Sequence, residues 1–133
     1  MASIVVSGKR KRSAARATIK EGKGLVTINS RPYELLPALH KLMIEEPLRI
    51  AKEKLGKIDF DIKVKVTSGG RESQIEATRL AITRAIVKAT KSNELKKEFL
   101  AYDRNMLIAD TRRKEPYKPG DSKARAKMQK SYR

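Results

Sequence analysis

Residues 57–91 of this chain read KIDFDIKVKVTSGGRESQIEATRLAITRAIVKATK, and this stretch decides the fold. In its first ten residues apolar and charged side chains alternate strictly, which is typical of a β-strand with one face on a core. After the TSGG turn the apolar residues recur at helical spacing, at Ile75, Ile82, Ile86 and Ala89. The sequence therefore predicts a strand followed by a long amphipathic helix at the centre of the domain.

Two strand-like segments precede this centre, with a basic turn between them. ASIVVSG (2–8) predicts a short strand that its glycine ends, and SGKRKRS (7–13) predicts a turn with four consecutive cations. AARATIK (14–20) alternates apolar and outward-facing residues, as in a half-buried strand. EGKG (21–24) predicts a hairpin turn that returns LVTIN (25–29) antiparallel to that strand.

The segment RPYELLPALHKLMIEEPLRIAKEKLG (31–56) has the apolar spacing of a helix, with Leu39 and Leu42 on the apolar stripe. Pro47 is expected to break or restart this helix, and the final glycine is expected to end a second short one. SNELKKEFLAYD (92–103) predicts a further short helix with Ser92 or Asn93 as its N-cap. This order of elements predicts a small α+β domain.

The charge balance is the dominant property of the composition. The 133 residues hold 32 Lys and Arg against 15 Asp and Glu, a formal net charge of +17. Self-repulsion of this size favours a polyanionic partner, with nucleic acid first and an anionic membrane a distant second. Absence of cysteine excludes disulfides and thiolate metal sites, and no apolar run has the length of a membrane span. We therefore expect a soluble cytoplasmic protein without a cofactor, a metal or a membrane partner.

The charge is densest at the C-terminal end. Residues 111–133 carry nine cations against two acids, and they include Pro116, Pro119 and Gly120, which do not continue a helix. Apolar side chains are too sparse there to offset the entropy lost on ordering. We therefore predict two regions, a globular RNA-binding domain at 1–110 and an extended basic tail at 111–133.

Few residues are candidates for catalysis. His40 is the only histidine and lies among leucines, which favours a core or boundary position over a catalytic one. Asp59 and Asp61 share a face of the predicted strand, but Lys63 and Lys65 continue that face. A solvated surface of mixed charge is therefore favoured over a metal site or an acid–base pair. No Ser-His-Asp or Cys-His set can be assembled, so the sequence predicts no catalytic residue.

Three turns are candidates for phosphate binding. EGKG lacks the spacing of a P-loop and precedes a strand. SGGRESQ opens a helix whose N-terminus, with Arg71 beside it, forms either a phosphate contact or a plain tight turn, and the sequence leaves both open. The four-cation turn is the stronger candidate, because nucleic-acid contact is favoured there over a solvated loop. The candidate contacts in GKRKRSAAR (8–16) are Lys9, Arg10, Lys11, Arg12 and Arg16.

Three segments together resemble one known family. They are GKRKRSAARATIKEGKGLVTIN (8–29), GGRESQIEATRLAITRAIV (69–87) and IADTRRKEPYKPGDSKARAKMQKSYR (108–133). All three stand in the family's order, and the resemblance runs from Ser7 to Arg133. The chain is similar to the universal small-subunit ribosomal protein S-nine family, in its archaeal and eukaryotic branch.

This resemblance implies a fold, a location and a function. The fold is a two-layer α+β sandwich of the ribosomal protein S5 domain 2-like type, with a four-stranded sheet covered by helices on one face. It contains a left-handed β-α-β crossover, against the usual hand, and an extended C-terminal tail. The protein is implied to assemble on ribosomal RNA in the head of the small subunit, beside neighbouring head proteins. Its tail is implied to reach the transfer RNA in the peptidyl site.

Carried over by position, the resemblance assigns two groups of residues. The end of the tail is implied to contact peptidyl-site transfer RNA, through Lys130, Ser131, Tyr132 and Arg133. Tyr132 stands where bacterial members of the family carry lysine. The residues implied to bind ribosomal RNA are Lys9, Arg10, Lys11, Arg12, Arg16, Arg71, Arg112, Arg113, Lys114, Lys118, Lys123, Arg125 and Lys127.

Two rival functions are weighed against this one, an enzyme with the same broad fold and a basic protein that acts outside the ribosome. The same broad fold hosts phosphotransferases and the protein subunit of the transfer-RNA-processing ribozyme, but an enzyme would need a nucleotide-binding loop with a base near it. The other rival is a free basic protein that binds nucleic acid outside the ribosome.

Overall fold

The computed structural model describes residues 3–117, which form one five-stranded sheet and three α-helices. The strands are β1 (Ile4–Arg10), β2 (Ser13–Glu21), β3 (Val26–Ile28), β4 (Arg31–Pro32) and β5 (Phe60–Thr67). The helices are α1 (Ala38–Leu55), α2 (Arg71–Thr90) and α3 (Asn93–Tyr102), and short 3-10 turns lie at Tyr33–Leu35 and Arg104–Met106. The predicted α+β class is confirmed.

The sheet buries one face and exposes the other. Its strand order is β1-β2-β5-β3-β4, and all neighbours are antiparallel except the parallel pair β3 and β5. The alternation predicted for β2 and β5 is confirmed, because their apolar residues form the core with α1 and α2. Those residues are Ala15, Ala17, Ile19, Ile62, Val64 and Val66. The resemblance implied four strands, and the structure has a fifth, the two-residue strand β4. β4 lies at the edge of the sheet, where a proline is tolerated.

The predicted partner of β3 is wrong. β3 was expected to return against β2, but β5 lies between them and pairs with both. The reason lies in Asp61, whose Oδ1 accepts hydrogen bonds of 2.9 Å from the N–H groups of Lys23 and Leu25. Ile62 N–H also donates to the Leu25 carbonyl at 2.8 Å, so the loop before β3 is held on β5. The chain from β3 through α1 to β5 is thus a β-α-β unit, and its left-handedness stays a prediction.

The predicted break at Pro47 is also wrong. α1 runs through this proline as a single helix of 18 residues. An interior proline costs a backbone hydrogen bond, but burial of the surrounding face offsets that loss. The residues that α1 buries are Ile44, Pro47, Leu48 and Ala51. Leu39 and Leu42 are 65% and 52% exposed, so the stripe predicted from them does not face the core.

Three helix ends agree with their sequence signals. α1 ends at Gly56, whose φ of +76° lies in the left-handed region that glycine favours. α2 begins at Arg71, directly after the two glycines. α3 begins after Ser92, whose Oγ accepts a hydrogen bond of 3.3 Å from the Leu95 N–H. These boundaries are confirmed.

Gly8 has a different role from the predicted one. The sequence suggested that it ends the first strand, but β1 continues through it to Arg10, and Gly8 is buried under α2. A Cβ at Gly8 would lie 2.5 Å from the Ala77 carbonyl oxygen and 2.8 Å from the Ala81 nitrogen. Glycine therefore allows the backbone of α2 to lie directly against the backbone of β1.

Gly8→Ala is expected to destabilise the protein by about 1–3 kcal/mol, because the added methyl group overlaps backbone atoms that have no rotamer to escape into. The measurement is the free energy of unfolding in urea. Ser7→Ala is the control, since Ser7 is exposed on the same strand and its substitution should change stability by less than about 0.5 kcal/mol. Equal stabilities for the two variants would contradict the close packing at Gly8.

Candidate nucleic-acid interface

Three segments that are distant in sequence meet around one open cleft of about 740 Å³. They are the turn between β1 and β2, the N-terminus of α2 and the chain just after the last 3-10 turn. We call this site the basic cleft, and its lining residues are Arg10, Lys11, Arg12, Gly69, Gly70, Ser73, Arg112, Arg113 and Lys114. Six of these described residues are cations and none is an acid. The arrangement is suited to a polyanion.

The turn between β1 and β2 projects two of these cations into solvent. Arg10 pairs with Ser13, so only Lys11 and Arg12 form the loop, and both are exposed. Lys11 adopts a φ of +50°, which closes the tight loop. Because side chains alternate along β1, Arg10 turns toward the helices and Lys9 toward the opposite face of the sheet.

Buried serine hydroxyls join this hairpin to the start of α2. Ser13 Oγ lies 2.9 Å from the Ser73 Oγ and 2.9 Å from the carbonyl oxygen of Ser68. Ser73 Oγ also accepts a hydrogen bond of 3.1 Å from the Gly70 N–H at the first turn of α2. Gly69 is required beside them, since its φ is +73° and a Cβ there would lie 2.0 Å from Ser13 Oγ. The helix N-terminus is therefore fixed against the basic turn.

Arg10 is the cation that joins the hairpin to the other two segments. Its side chain is only 14% exposed, and its Nε donates to Glu76 of α2. Its Nη1 lies 2.9 Å from Asp110 Oδ2, although this nitrogen is not aligned for a hydrogen bond. Arg10 is thus paired with two carboxylates inside the fold. Its contact with RNA stays a prediction, while its position shapes the cleft.

Asp110 fixes the chain that enters the predicted tail. Its Oδ1 accepts a hydrogen bond of 3.0 Å from the Arg112 N–H, and its Oδ2 accepts one of 2.6 Å from Arg112 Nη2. The hydrogen bonds from Arg112, together with the nearby charge of Arg10, hold the pKa of the Asp110 carboxyl well below its usual range. The carboxylate stays ionised and connects the hairpin to the cations that follow. We call Arg10, Asp110 and Arg112 the Asp110 bridge.

The other two cations of this segment remain available. Arg113 Nη1 donates to the carbonyl oxygens of Asp110 and Arg112, at 3.3 and 3.0 Å. Lys114 Nζ lies 4.6 Å from the centroid of the Tyr117 ring, a cation–π contact between exposed side chains. Neither cation has an ion pair with an acid within residues 3–117.

The structure separates the predicted RNA-binding residues into three sets. The basic cleft brings together Arg10, Lys11, Arg12, Arg112, Arg113 and Lys114, and Arg71 lies exposed beside it at the first position of α2. Lys9 and Arg16 face the opposite side of the sheet. The remaining predicted residues lie outside the described part of the chain, namely Lys118, Lys123, Arg125, Lys127, Lys130, Ser131, Tyr132 and Arg133. The boundary proposed at residue 110 stays a prediction.

Sequence reasoning missed the residues that orient the cations. Glu76 and Asp110 hold Arg10, and Ser73 holds the hairpin against α2. A local signal exists only for Asp110, because Asp often accepts the N–H two residues further on in an Asx-turn, as it does here from Arg112. Glu76 and Ser73 act through long-range contacts that no local pattern indicates.

His40 and Asp61 both form contacts within the fold. His40 lies at the boundary of the helical layer with its Nε2 2.7 Å from Glu72 Oε1. The Asp61 carboxylate accepts hydrogen bonds from the N–H groups of Lys23 and Leu25 in the loop before β3. The hydrogen bond from Leu25 lowers the pKa of Asp61. Within residues 3–117 no group of three or more His, Asp or Glu side chains could hold a metal ion. No described helix is long and apolar enough to cross a membrane.

Comparisons with known proteins agree with the resemblance in the sequence. A family model described as ribosomal protein S9/S16 matches residues 8–133. A "Small ribosomal subunit protein uS9" of Methanococcus maripaludis is 51% identical over 129 residues, which are 95% of each chain. The protein of the same name from Thermoplasma volcanium is 47% identical over 131 residues, 98% of each chain.

Asp110→Asn is expected to loosen the start of the tail, because the Asp110 bridge loses its charge while the side chain keeps its shape. Amide hydrogen exchange at Arg112 should become faster, whereas exchange in β2 should stay unchanged. Asp59→Asn is the control, since this exposed carboxylate has no part in the bridge. Unchanged exchange at Arg112 would contradict the role of Asp110.

Acid should have the same effect on the unsubstituted protein. The folded-state pKa of Asp110 is depressed, so its stabilising contribution is complete above the unfolded pKa near 3.9 and is lost as the pH falls toward the folded value. Exchange at Arg112 should therefore stay constant from neutral pH to about pH 5, after correction for intrinsic rates, and rise only in stronger acid. In the Asp110→Asn variant this additional acid dependence should be absent.

Proposed function

This chain belongs to the ribosomal protein S9/S16 family, and from this premise we propose that it is a structural constituent of the small ribosomal subunit in the cytoplasm. It binds ribosomal RNA in the head of the subunit, and its tail contacts transfer RNA in the peptidyl site. The family is non-enzymatic. The observation that carries the proposal is the basic cleft, where cations from three distant segments converge with no acid among the described lining residues.

The mechanism is neutralisation of phosphates. Lys11, Arg12, Arg113 and Lys114 are exposed and reach the RNA directly, while Arg10 and Arg112 hold the cleft in shape through Asp110. Each phosphate contact releases condensed counterions, which favours binding and makes the affinity fall as the salt concentration rises. The proposed ribosomal RNA contacts also include the residues outside the cleft, Lys9, Arg16, Arg71, Lys118, Lys123, Arg125 and Lys127.

The tail is proposed to fold on RNA. Its basic residues track the phosphates of ribosomal RNA, and its last four residues reach the anticodon stem-loop of the transfer RNA. Those four residues are Lys130, Ser131, Tyr132 and Arg133. The proposal includes contacts with neighbouring proteins of the subunit head. It also includes a left-handed connection from β3 through α1 to β5.

Sedimentation of a native extract through a sucrose gradient tests the location. The protein should migrate with small subunits and with whole ribosomes. A pool that sediments freely or with chromatin would support the rival function, a basic protein that binds nucleic acid outside the ribosome.

Binding to a transcript of small-subunit ribosomal RNA should weaken steeply with salt, by about 0.7–0.9 log units per log unit of salt for each phosphate contact. Lys11→Gln/Arg12→Gln should reduce that slope by about 1.5, since it removes two contacts of the basic cleft. Lys96→Gln/Lys97→Gln is the matched control, because it removes two exposed charges of α3. A nearly flat response of the unsubstituted protein would contradict RNA binding, and equal slopes for the two variants would contradict the role of the cleft.

Deletion of residues 129–133 should leave the unfolding midpoint and subunit incorporation intact, because the core found within residues 3–117 is formed by residues between Ala15 and Met106. The affinity of the reconstituted subunit for peptidyl-site transfer RNA should fall, while binding of messenger RNA alone serves as the control. If the truncated chain unfolded, the tail would be part of the folded domain. If transfer RNA affinity stayed the same, the proposed tail contact would be wrong.

A further inference from the structure

The face of the sheet opposite the helices carries a second basic surface. Along β2 and β5 the exposed residues alternate with the buried core, and they surround an open groove of about 700 Å³. We call this surface the outer face, and the residues that line its groove are Arg16, Thr18, Thr27, Asn29, Ser30, Lys63, Val64 and Lys65. It lies on the other side of the sheet from Arg10 and the helices, so it is separate from the basic cleft.

The register of the strands places like charges together on this face. Arg16 of β2 pairs directly with Lys65 of β5, and Lys63 lies between Thr18 of β2 and Thr27 of β3. Directly opposed like charges in neighbouring strands are destabilising. Arg16, Lys63 and Lys65 are exposed, and none of the three forms an ion pair within residues 3–117. The described chain therefore holds Arg16 and Lys65 side by side with no ion pair to either, while Lys63 lies near Asp61.

Asp61 is the acid that shares this face of β5, and it does not neutralise the pair formed by Arg16 and Lys65. Its Oδ1 accepts the N–H groups of Lys23 and Leu25 at 2.9 Å each, which ties it to the loop before β3. Lys63 contributes to the low pKa of Asp61 less than these backbone groups do. Among the described residues, therefore, no acid is placed to compensate the charges of Arg16 and Lys65.

We propose that the outer face binds the phosphate backbone of helical RNA, as a second site separate from the basic cleft. No aromatic side chain is among the described residues of the groove, so it offers no platform for stacking unpaired bases. Hydroxyl groups of Thr18, Thr27 and Ser30 stand beside the cations and match the 2′-hydroxyls displayed in the shallow groove of an RNA helix. Charge complementarity and polar chemistry together favour duplex RNA over an unpaired strand.

The consequence is that the globular domain binds RNA on two sides. The basic cleft binds one RNA segment on the side of the sheet that carries the helices. The outer face binds another RNA segment on the opposite side of the sheet. The proposal rests on the proposed function, since both sites bind RNA of the small subunit. A protein with two such sites holds two RNA segments at a fixed separation.

The test uses the full chain and two variants of equal net charge. The outer-face variant is Arg16→Gln/Lys63→Gln/Lys65→Gln. The matched control is Lys52→Gln/Lys96→Gln/Lys97→Gln, which removes three exposed cations from the helical layer. The salt dependence of binding is measured with a transcript of small-subunit ribosomal RNA, a blunt RNA duplex and an oligouridylate of the same length. Thermal unfolding is measured in parallel.

The outer-face variant should lower the salt slope by about 2–3 for the transcript and the duplex, at 0.7–0.9 per lost contact, while the control leaves it unchanged. Its unfolding temperature should equal or exceed that of the unsubstituted protein, because repulsion between Arg16 and Lys65 is removed. Retained stability together with this selective loss supports the proposal.

Several outcomes would overturn it. If both variants lost the same amount of salt slope, the effect would come from net charge and not from the outer face. If the slope fell only with oligouridylate, the outer face would bind single-stranded RNA and not duplex RNA. If the slope of the outer-face variant stayed unchanged, the outer face would not bind RNA and would instead face a protein partner or solvent. If the unsubstituted chain failed to bind the transcript at all, the proposed function would fail first, and this inference would fall with it.

Discussion

The contact of α2 with the backbone of β1 at Gly8 sets the positions of the other functional elements. With no side chain between them, the helix begins beside the turn of the hairpin, where Ser13 and Ser73 fix it. Farther along α2, Arg84 donates to the carbonyl oxygens of Leu107 and Ser7, at 2.9 and 3.0 Å. That bridge brings the chain after α3 back across the helix to the hairpin. The basic cleft therefore depends on this close backbone contact together with the serine and arginine contacts that fix its sides.

Acidic and basic side chains have different roles in this protein. The carboxylates of the described chain largely hold elements together, as when Arg79 of α2 pairs with Glu46 of α1 and with Asp103 after α3. Asp110 and Asp61 likewise order loops. Acids that are paired in this way do not compensate the exposed cations of the basic cleft and the outer face. Structural ion pairing and the net charge of +17 are thus compatible, and RNA is the counter-charge that the folded chain lacks.

Local signals in the sequence predicted the elements better than their partners. Strict alternation in β5 and helical spacing in α2 follow from burial on one face, so both elements were found. The pairing of β3 with β5, the continuity of α1 through Pro47 and the packing role of Gly8 depend on contacts between distant residues. The same division holds for the site. The cations were visible as charge, but their meeting around α2, and the turning of Arg16 to the outer face, follow from the topology.

The late arrival of β5 has a consequence for synthesis. β2 ends at Glu21, and the strand that completes its hydrogen bonding begins only at Phe60. At about 5–20 residues per second, the emerging hairpin keeps an unpaired edge for roughly 2 to 9 seconds. An open edge invites pairing with other chains, and charged side chains on it oppose such pairing. Arg16 and Lys20 are exposed cations of β2, so a hairpin that forms before β5 is made would carry charges that oppose such pairing along its open edge.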